Sequence, residues 1–326
     1  MLPVEEKLFA LADKALRNEP LTKDELLTVL NLEDELVPLA VYLAHRVKRR
    51  FFGNALEFCS IINAKSGACE EDCAFCAQSK HYKAPVTVYG LVPEHELIEG
   101  ARRAVQMGAE RYCVVLSGKQ ASKEEVEQIS RAVEKIKREM PQLRVCVSAG
   151  TLDAESLRRL KTAGVERINH NLESARSFFP KIVSTHRWEE RYETVKRVKE
   201  AGLEVCSGGI FGMGESNEER AELALTLREL EVPSVPLNFL MPIEGTPLEN
   251  APGVEPLEAL KVIAAFRFAL PTATLRLCGG REKTLRDFHG MAVLMVNALM
   301  VGGYLTRAGR DVRKDYQLLK DLKLSK

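Results

Sequence analysis

The sequence predicts an α/β fold, a (β/α)8 TIM-type barrel with an N-terminal helical extension. The chain has 326 residues, and a single barrel of roughly 250 residues with terminal extensions fits that length. From about residue 55, short apolar runs alternate with amphipathic stretches, which requires parallel strands joined by helical crossovers. No G-x-G-x-x-G motif follows the first apolar run, and this disfavours an open dinucleotide-binding sheet. A closed barrel is therefore the expected architecture.

The predicted domains are an extension at residues 1–50 and a barrel with a helical tail at residues 51–326. In the extension, Leu8 and Leu11 follow a helical period, and Thr22 with Glu25 matches a capping box. Eight segments are predicted as strands: Glu57–Asn63, Arg111–Leu116, Arg144–Ser148, Arg167–Asn171, Glu204–Phe211, Val235–Phe239, Thr274–Leu277 and 298–301. The helices predicted between them are Pro93–Met107, Ser122–Glu139, Asp153–Lys161, Trp188–Ala201, Ser216–Leu230 and Glu255–Ala269. Glycines close several of these helices, as is usual at a helix end.

Charge and hydropathy narrow the classes of function. The 47 basic and 46 acidic residues leave a net charge of +1, which gives no support for a nucleic-acid partner. The first residues carry acidic side chains and lack the basic segment of a secretory signal. The longest apolar stretch, residues 291–301, reaches about half of a bilayer span. We therefore expect a cytoplasmic protein with no membrane partner.

Eight cysteines point to metal or redox chemistry, because disulfides are rare in a reducing compartment. Cys69, Cys73 and Cys76 follow the first predicted strand, at the end where barrels build active sites. Thiolates at this spacing can converge on an iron–sulfur cube, and soft sulfur ligands select iron–sulfur clusters, zinc or Cu(I). A zinc site would need a fourth ligand, for which His81 is the nearest candidate.

Three further thiols lie on three different predicted strands: Cys113, Cys146 and Cys206. Side chains alternate along a strand and the inward ones stack in layers, so these thiols can surround a common point inside the barrel. Arg276 and Cys278, two residues apart, would share one face of a late strand. Cys59 is interpreted as a packing residue, since a single buried cysteine usually acts as a small apolar side chain.

The cysteine motif C-x-x-x-C-x-x-C followed by Ala-Gln-Ser resembles the radical S-adenosylmethionine (SAM) superfamily. Within it, the chain resembles the biotin synthase family over about residues 58–322. The motifs that carry this likeness are R-Y-C at 111–113, R-I-N-H-N-L-E at 167–173, V-C-S-G-G-I at 205–210, P-L-N-F at 236–239 and L-R-L-C-G-G-R-E at 275–282.

The resemblance implies sulfur insertion into dethiobiotin to give biotin. It assigns a SAM-binding [4Fe–4S] cluster to the first cysteine triplet and an auxiliary [2Fe–2S] sulfur donor to Cys113, Cys146, Cys206 and Arg276. The chemistry is carried by SAM-derived radicals and the clusters, so no side chain is expected to be catalytic. The resemblance also implies a homodimer and a flavodoxin- or ferredoxin-type electron donor. Residues implied to bind substrate or SAM are Phe75, Asn169, Asn171, Glu173, Arg191, Gly208, Gly209 and Asn238.

Cys278 departs from the family pattern, which commonly has serine there. A thiolate is a stronger iron ligand than a guanidinium, so Cys278 could replace Arg276 and make the auxiliary cluster all-cysteine and larger. Two other functions remain open. One is a related radical SAM barrel with another substrate, as in hydrogenase maturation or the pyrrolysine pathway. The other is a non-catalytic zinc or thiol redox scaffold.

Overall fold

Parallel strands close into a barrel in the computed structural model, which describes residues 3–326. Its strands are β1 (Glu57–Lys65), β2 (Arg111–Leu116), β3 (Arg144–Ser148), β4 (Val165–Asn169), β5 (Glu204–Cys206), β6 (Gly209–Phe211), β7 (Ser234–Phe239), β8 (Thr274–Leu277) and β9 (Ala298–Met300). β5 and β6 are two halves of one barrel strand, because β5 pairs with β4 while β6 pairs with β7. β1 pairs with both β2 and β9, which closes the barrel. With β5 and β6 counted as one strand, the barrel has eight strands. The predicted fold class is confirmed.

Helices surround the barrel and provide its outer layer. They are α1 (Val4–Leu16), α2 (Lys23–Leu30), α3 (Val37–Phe52), α4 (Glu94–Gln106), α5 (Lys123–Glu139), α6 (Ala154–Ala163), α7 (Trp188–Glu200), α8 (Asn217–Glu229), α9 (Pro256–Ala269), α10 (Arg281–Leu285), α11 (His289–Met295) and α12 (Val312–Asp321). Ser122 and Ser216 begin α5 and α8 with capping boxes, and the box predicted at Thr22 is also present. A short hairpin of Gly303–Tyr304 (β10) and Arg307–Ala308 (β11) precedes α12.

The helices α1, α2 and α3 form the extension, and they pack against α9 on the outside of the barrel. For this reason α9 is apolar almost all round: Leu260, Ile263 and Phe266 are fully buried. The first two residues of the predicted extension lie outside the described residues. Among residues 3–326, no helix is both long enough and apolar enough to cross a membrane.

The fourth strand differs from its prediction. The sequence predicted Arg167–Asn171, whereas β4 ends at Asn169. The chain then turns, and Glu173 takes a left-handed conformation with φ of 68°. Its backbone N–H donates to the Gly208 carbonyl at 3.0 Å, which pins the turn. A strand that continued to Glu173 would place Asn169, Asn171 and Glu173 on one face, and the turn after Asn169 rules out that arrangement.

Candidate active site at the mouth and in the bore of the barrel

A cavity of about 410 Å³ opens where the barrel strands end and continues down into the bore. Its upper wall includes Cys69 and Phe75 from the loop after β1, together with Asn171 after β4. Its deeper wall includes Cys206 and Arg276. Active sites of this fold form at the carboxyl ends of the strands, and the cavity has that position.

The three cysteines predicted to bind a cluster all line this cavity. Their loop folds back on itself: the Cys69 N–H donates to the Gln78 carbonyl at 2.9 Å, and the Cys76 N–H donates to the Cys73 carbonyl at 2.9 Å. Burial raises the pKa of Cys73 to about 12 and that of Cys76 to about 11. Both thiols therefore keep their protons at neutral pH until a metal displaces them.

The donor set fits an iron–sulfur cluster with one open coordination position, because three soft thiols on one loop face a common cavity. No group of three His, Cys, Asp or Glu side chains within residues 3–326 is arranged to hold a single metal ion. His81, the candidate fourth zinc ligand, instead places its Nε2 2.8 Å from the Glu70 carbonyl oxygen.

The cysteine loop is clamped to the segment that follows β4. The Asp72 carboxylate accepts hydrogen bonds from the backbone N–H groups of Ser184 at 2.9 Å and Thr185 at 3.1 Å. The Ala74 N–H donates to the Ile182 carbonyl at 2.9 Å. The loop and this segment therefore hold each other in place at the rim of the cavity.

A polar chain runs from the cysteine loop to the residues predicted to bind SAM. Glu71 binds the Nδ1 side of the His186 ring, and Arg191 Nε donates to His186 Nε2 at 3.0 Å. The Arg191 guanidinium also donates to the Asn171 carbonyl at 2.9 Å and lies 3.6 Å from the Glu173 carboxylate. Burial raises the pKa of Glu173, and the charge of Arg191 partly opposes this. Sequence reasoning missed Glu71 and His186, because 115 residues separate the two.

The three thiols of the second set are all buried on the strands of the barrel. Cys113 and Cys146 are direct partners in the register of β2 and β3, so both face the same side of the sheet. Burial raises the pKa of Cys113 well above its usual value, and the nearby thiols of Cys146, Cys59 and Cys206 raise it further. The register of β2 and β3 therefore makes Cys113 and Cys146 neighbours, and the common point around all three thiols stays a prediction.

Arg276 and Asn169 extend to these thiols. Arg276 Nη1 donates to the Cys206 sulfur at 3.4 Å, and Asn169 Nδ2 donates to the Cys113 sulfur at 3.2 Å. Asn169 Oδ1 and Arg276 Nε are buried without a hydrogen-bond partner. Because buried polar atoms are normally satisfied, these two atoms mark a place for a bound group. The deep residues therefore fit a second, auxiliary centre.

Most of the predicted site residues share the one cavity. Those that line it are Cys69, Phe75, Cys73, Cys76, Asn169, Asn171, Glu173, Arg191, Cys206, Asn238, Arg276 and Cys278. Within the described chain, the lining residues do not include Cys113, Cys146, Gly208 or Gly209. Gly208 is required for close packing, since a Cβ there would lie 2.1 Å from the Pro236 carbonyl oxygen, and the binding role of both glycines stays a prediction.

Cys59, interpreted from the sequence as a packing residue, also lines the cavity. Burial raises the pKa of its thiol to about 12, against the opposing charge of Arg276. Glu57 and Cys59 are two residues apart on β1, so their side chains lie on the same face of the strand. This alternation is the sequence signal that could have placed Cys59 in the bore.

A parallel barrel with a three-thiol loop at its mouth defines a radical SAM enzyme. Residues 64–227 match the family model of the Radical SAM superfamily, and residues 236–325 match that of the Biotin and Thiamin Synthesis associated domain. Among solved structures, the chain is similar to methylornithine synthase, with a TM-score of 0.83 and 20% identity over 97% of this chain and 96% of that one. It is also similar to the FeFe-hydrogenase maturase of Carboxydothermus hydrogenoformans, with a TM-score of 0.82 and 18% identity over 98% of this chain and 79% of that one. These distant likenesses support the fold.

Two curated relatives identify the family. The biotin synthase of Aquifex aeolicus is 68% identical over 98% of this chain and 97% of its own length. The biotin synthase of a Hydrogenobaculum species is 58% identical over 99% and 98% of the two chains. The chain belongs to the biotin synthase family, and it is a radical SAM sulfurtransferase.

Proposed function

We propose that the chain converts dethiobiotin to biotin with two iron–sulfur centres, one at the mouth of the barrel and one in its bore. The observation that carries the proposal is that thiols from both sets line the same cavity, the triplet on its rim and Cys206 on its floor. When bound, the mouth cluster supplies the electron that cleaves SAM, and the auxiliary cluster supplies the sulfur. A single cavity lets the radical, the substrate and the sulfur source meet without exchange through solvent.

Residues after β4 are proposed to bind SAM. Glu173 is held by Arg191 and lies within 3.4 Å of the Asn171 amide, so its carboxylate is oriented toward the cavity that it lines. A carboxylate accepts hydrogen bonds only, which suits the hydroxyl groups of a ribose. Phe75 lines the same wall and offers a ring to an adenine face.

The asparagines in the bore are proposed to bind dethiobiotin. Asn169 Oδ1 is a buried acceptor with no partner, and a urea N–H of the substrate can satisfy it. Asn238 is braced by the backbone: its Oδ1 accepts from the Gly279 N–H at 3.1 Å, and its Nδ2 donates to the Gly209 carbonyl at 3.3 Å. One amide proton and one acceptor lone pair of Asn238 remain for the ligand.

The auxiliary centre has two possible fourth ligands. Arg276 contacts the Cys206 sulfur directly, while Cys278 is fully buried and lines the cavity nearby. Iron and sulfide counts with Mössbauer spectra on a Cys278→Ser variant distinguish them. An unchanged auxiliary centre supports Arg276, and a changed or lost centre supports Cys278.

Activity is tested by anaerobic incubation of the reconstituted protein with SAM, a strong reductant and dethiobiotin. We expect biotin together with 5′-deoxyadenosine and methionine. Deoxyadenosine without biotin would indicate a related radical SAM barrel enzyme with another substrate. A colourless protein that binds zinc and lacks visible charge-transfer bands would indicate the scaffold instead.

Homodimer formation, a flavodoxin- or ferredoxin-type electron donor and cytoplasmic localisation stay predictions. The eight cysteines are all free thiols, and this state suits a reducing compartment. Light scattering on the purified protein measures the oligomeric state, for which the proposal expects twice the 36.4 kDa chain mass.

A further inference from the structure

The Glu57 carboxylate pairs with three arginines at the amino-terminal end of the barrel strands. Glu57, at the start of β1, accepts hydrogen bonds on Oε1 from Arg276 Nη2 at 3.0 Å and from Arg111 Nε at 3.2 Å. Its Oε2 binds Arg144. The three arginines come from β8, β2 and β3, so a single side chain ties four strands together. Burial raises the pKa of Glu57, but the charges of Arg276 and its neighbours outweigh this and leave the pKa below its usual value.

The register of the barrel explains how Arg276 reaches Glu57. Ala298 of β9 lies between the two and is in register with both, with Glu57 on one side and Arg276 on the other. Residues in register on parallel strands face the same side, here the bore. The Ala298 methyl group leaves room for the guanidinium to cross β9.

Arg276 thus has one end fixed and the other directed at a proposed cluster ligand. Its Nη2 binds Glu57, and its Nη1 lies 3.4 Å from the Cys206 sulfur. Arg111 repeats the arrangement: its Nε binds Glu57, and its Nη1 lies 3.9 Å from the Cys146 sulfur. The Glu57 carboxylate therefore orients two guanidinium groups, each of which touches a thiol proposed to bind the auxiliary centre.

We propose that Glu57 is a positioning residue for the auxiliary centre. Its carboxylate holds the Arg276 guanidinium against the Cys206 sulfur and the Arg111 guanidinium against the Cys146 sulfur. The inference rests on the proposed function, because it assumes that these thiols bind a cluster. Residues that support metal ligands commonly contribute tenfold to hundredfold to metal affinity, and we expect roughly that effect here.

The charges around Glu57 suggest a competing explanation, in which Glu57 affects the auxiliary centre only through the net charge near it. Arg111, Arg144, Arg167 and Arg276 interact with the carboxylates of Glu57 and Glu204, so four positive charges face two negative ones. Glu204 supplies a matched control, because it contacts Arg167 at 2.8 Å and Arg111 at 3.6 Å while Arg276 pairs with Glu57. Glu204→Gln removes the same charge as Glu57→Gln and leaves the hydrogen bonds of Glu57 with Arg276 and Arg111 in place. It affects Arg111 only at the longer 3.6 Å contact, so the comparison isolates the Glu57–Arg276 contact.

The experiment compares reconstituted wild-type protein with Glu57→Asp, Glu57→Gln and Glu204→Gln. Mössbauer spectra, visible absorption and the reduction potential of the auxiliary centre are measured, with the electron paramagnetic resonance signal of the mouth cluster as an internal reference. We expect both Glu57 variants to change the auxiliary signature and to retain its iron more weakly, by about tenfold to hundredfold against a chelator. Glu204→Gln should stay close to wild type, and the mouth cluster should be unchanged in all three.

Glu57→Asp is the decisive variant, since it keeps the charge and withdraws the carboxylate from Arg276. If Glu57→Asp matches wild type, or if Glu204→Gln shifts the signature as much as Glu57→Gln, positioning is wrong and charge alone acts. If wild-type protein contains iron for the mouth cluster only, the proposed function itself fails. A wild-type protein with both centres and unaltered Glu57 variants removes the positioning role alone.

Discussion

The mouth and the bore of this barrel assemble their thiols in different ways. At the mouth, Cys69, Cys73 and Cys76 belong to one loop, and short-range backbone hydrogen bonds fold that loop. In the bore, Cys113 and Cys146 lie on β2 and β3, and only the register of the two strands makes them neighbours. Local sequence therefore defines the first site, whereas strand pairing defines the second. A substitution at one site should therefore remove the cluster of that site and leave the cluster of the other site intact.

Removing one thiol from each region gives the largest expected effects. Cys73→Ala should abolish both 5′-deoxyadenosine and biotin formation, because an incomplete mouth site cannot hold the cluster that reduces SAM. Cys206→Ala should abolish biotin formation but leave SAM cleavage in the presence of reductant. Chromatographic assay of both products checks this. Loss of SAM cleavage in Cys206→Ala, in a protein that still holds mouth-cluster iron, would contradict the independence of the two regions.

Iron binding at the mouth should depend strongly on pH. Burial raises the pKa of Cys73 to about 12 and of Cys76 to about 11, so both thiols are protonated at neutral pH before the cluster forms. Each ligation releases a proton, so affinity rises with pH, by roughly tenfold per pH unit for each proton displaced. Chelator competition between pH 6.5 and 8.5, with proton release followed by a dye, measures this. An affinity independent of pH would mean that the thiols are already ionised.

Arg191 provides a test confined to the mouth. Arg191→Ala removes the hydrogen bonds to the Asn171 carbonyl and to His186. Hydrogen bonds from a charged group contribute about 1.5–3 kcal/mol each, so SAM affinity should fall roughly tenfold to hundredfold. Arg187→Ala is the control, since Arg187 is an exposed residue in the same segment. The dissociation constant of SAM is measured by its effect on the mouth-cluster signal. Equal losses in the two variants would argue against the assigned role.

The smallest expected effect is on the melting temperature, and it concerns the packing of Gly208 against Pro236 of β7. Gly208→Ala places a Cβ 2.1 Å from the Pro236 carbonyl oxygen, whereas a Cβ at Gly90 meets no atom within 4 Å. Overpacking typically costs about 1–3 kcal/mol, so Gly208→Ala should lower the melting temperature and Gly90→Ala should not. Calorimetry on the cluster-free proteins compares them directly. Equal melting temperatures would show that β6 and β7 can separate at little cost.

The same contrast explains what the sequence could predict. Apolar runs and helix caps located the barrel strands closely, as at β2, whose bounds Arg111–Leu116 match the prediction. The mouth triplet was evident from its spacing alone. The end of β4 was not, because the turn depends on Glu173 bonding to Gly208, a residue distant in sequence. The role proposed for Glu57 depends on arginines of other strands, which composition and periodicity do not reveal.

Two separate iron–sulfur centres are the central claim, and Mössbauer spectroscopy with iron and sulfide counts tests it most directly. Three proteins are compared: wild type, a variant with Cys69, Cys73 and Cys76 replaced by alanine, and a variant with Cys113, Cys146 and Cys206 replaced by alanine. We predict two iron populations in wild type and the loss of a different one in each variant. A single population in wild type, or the same population lost in both variants, would contradict the account.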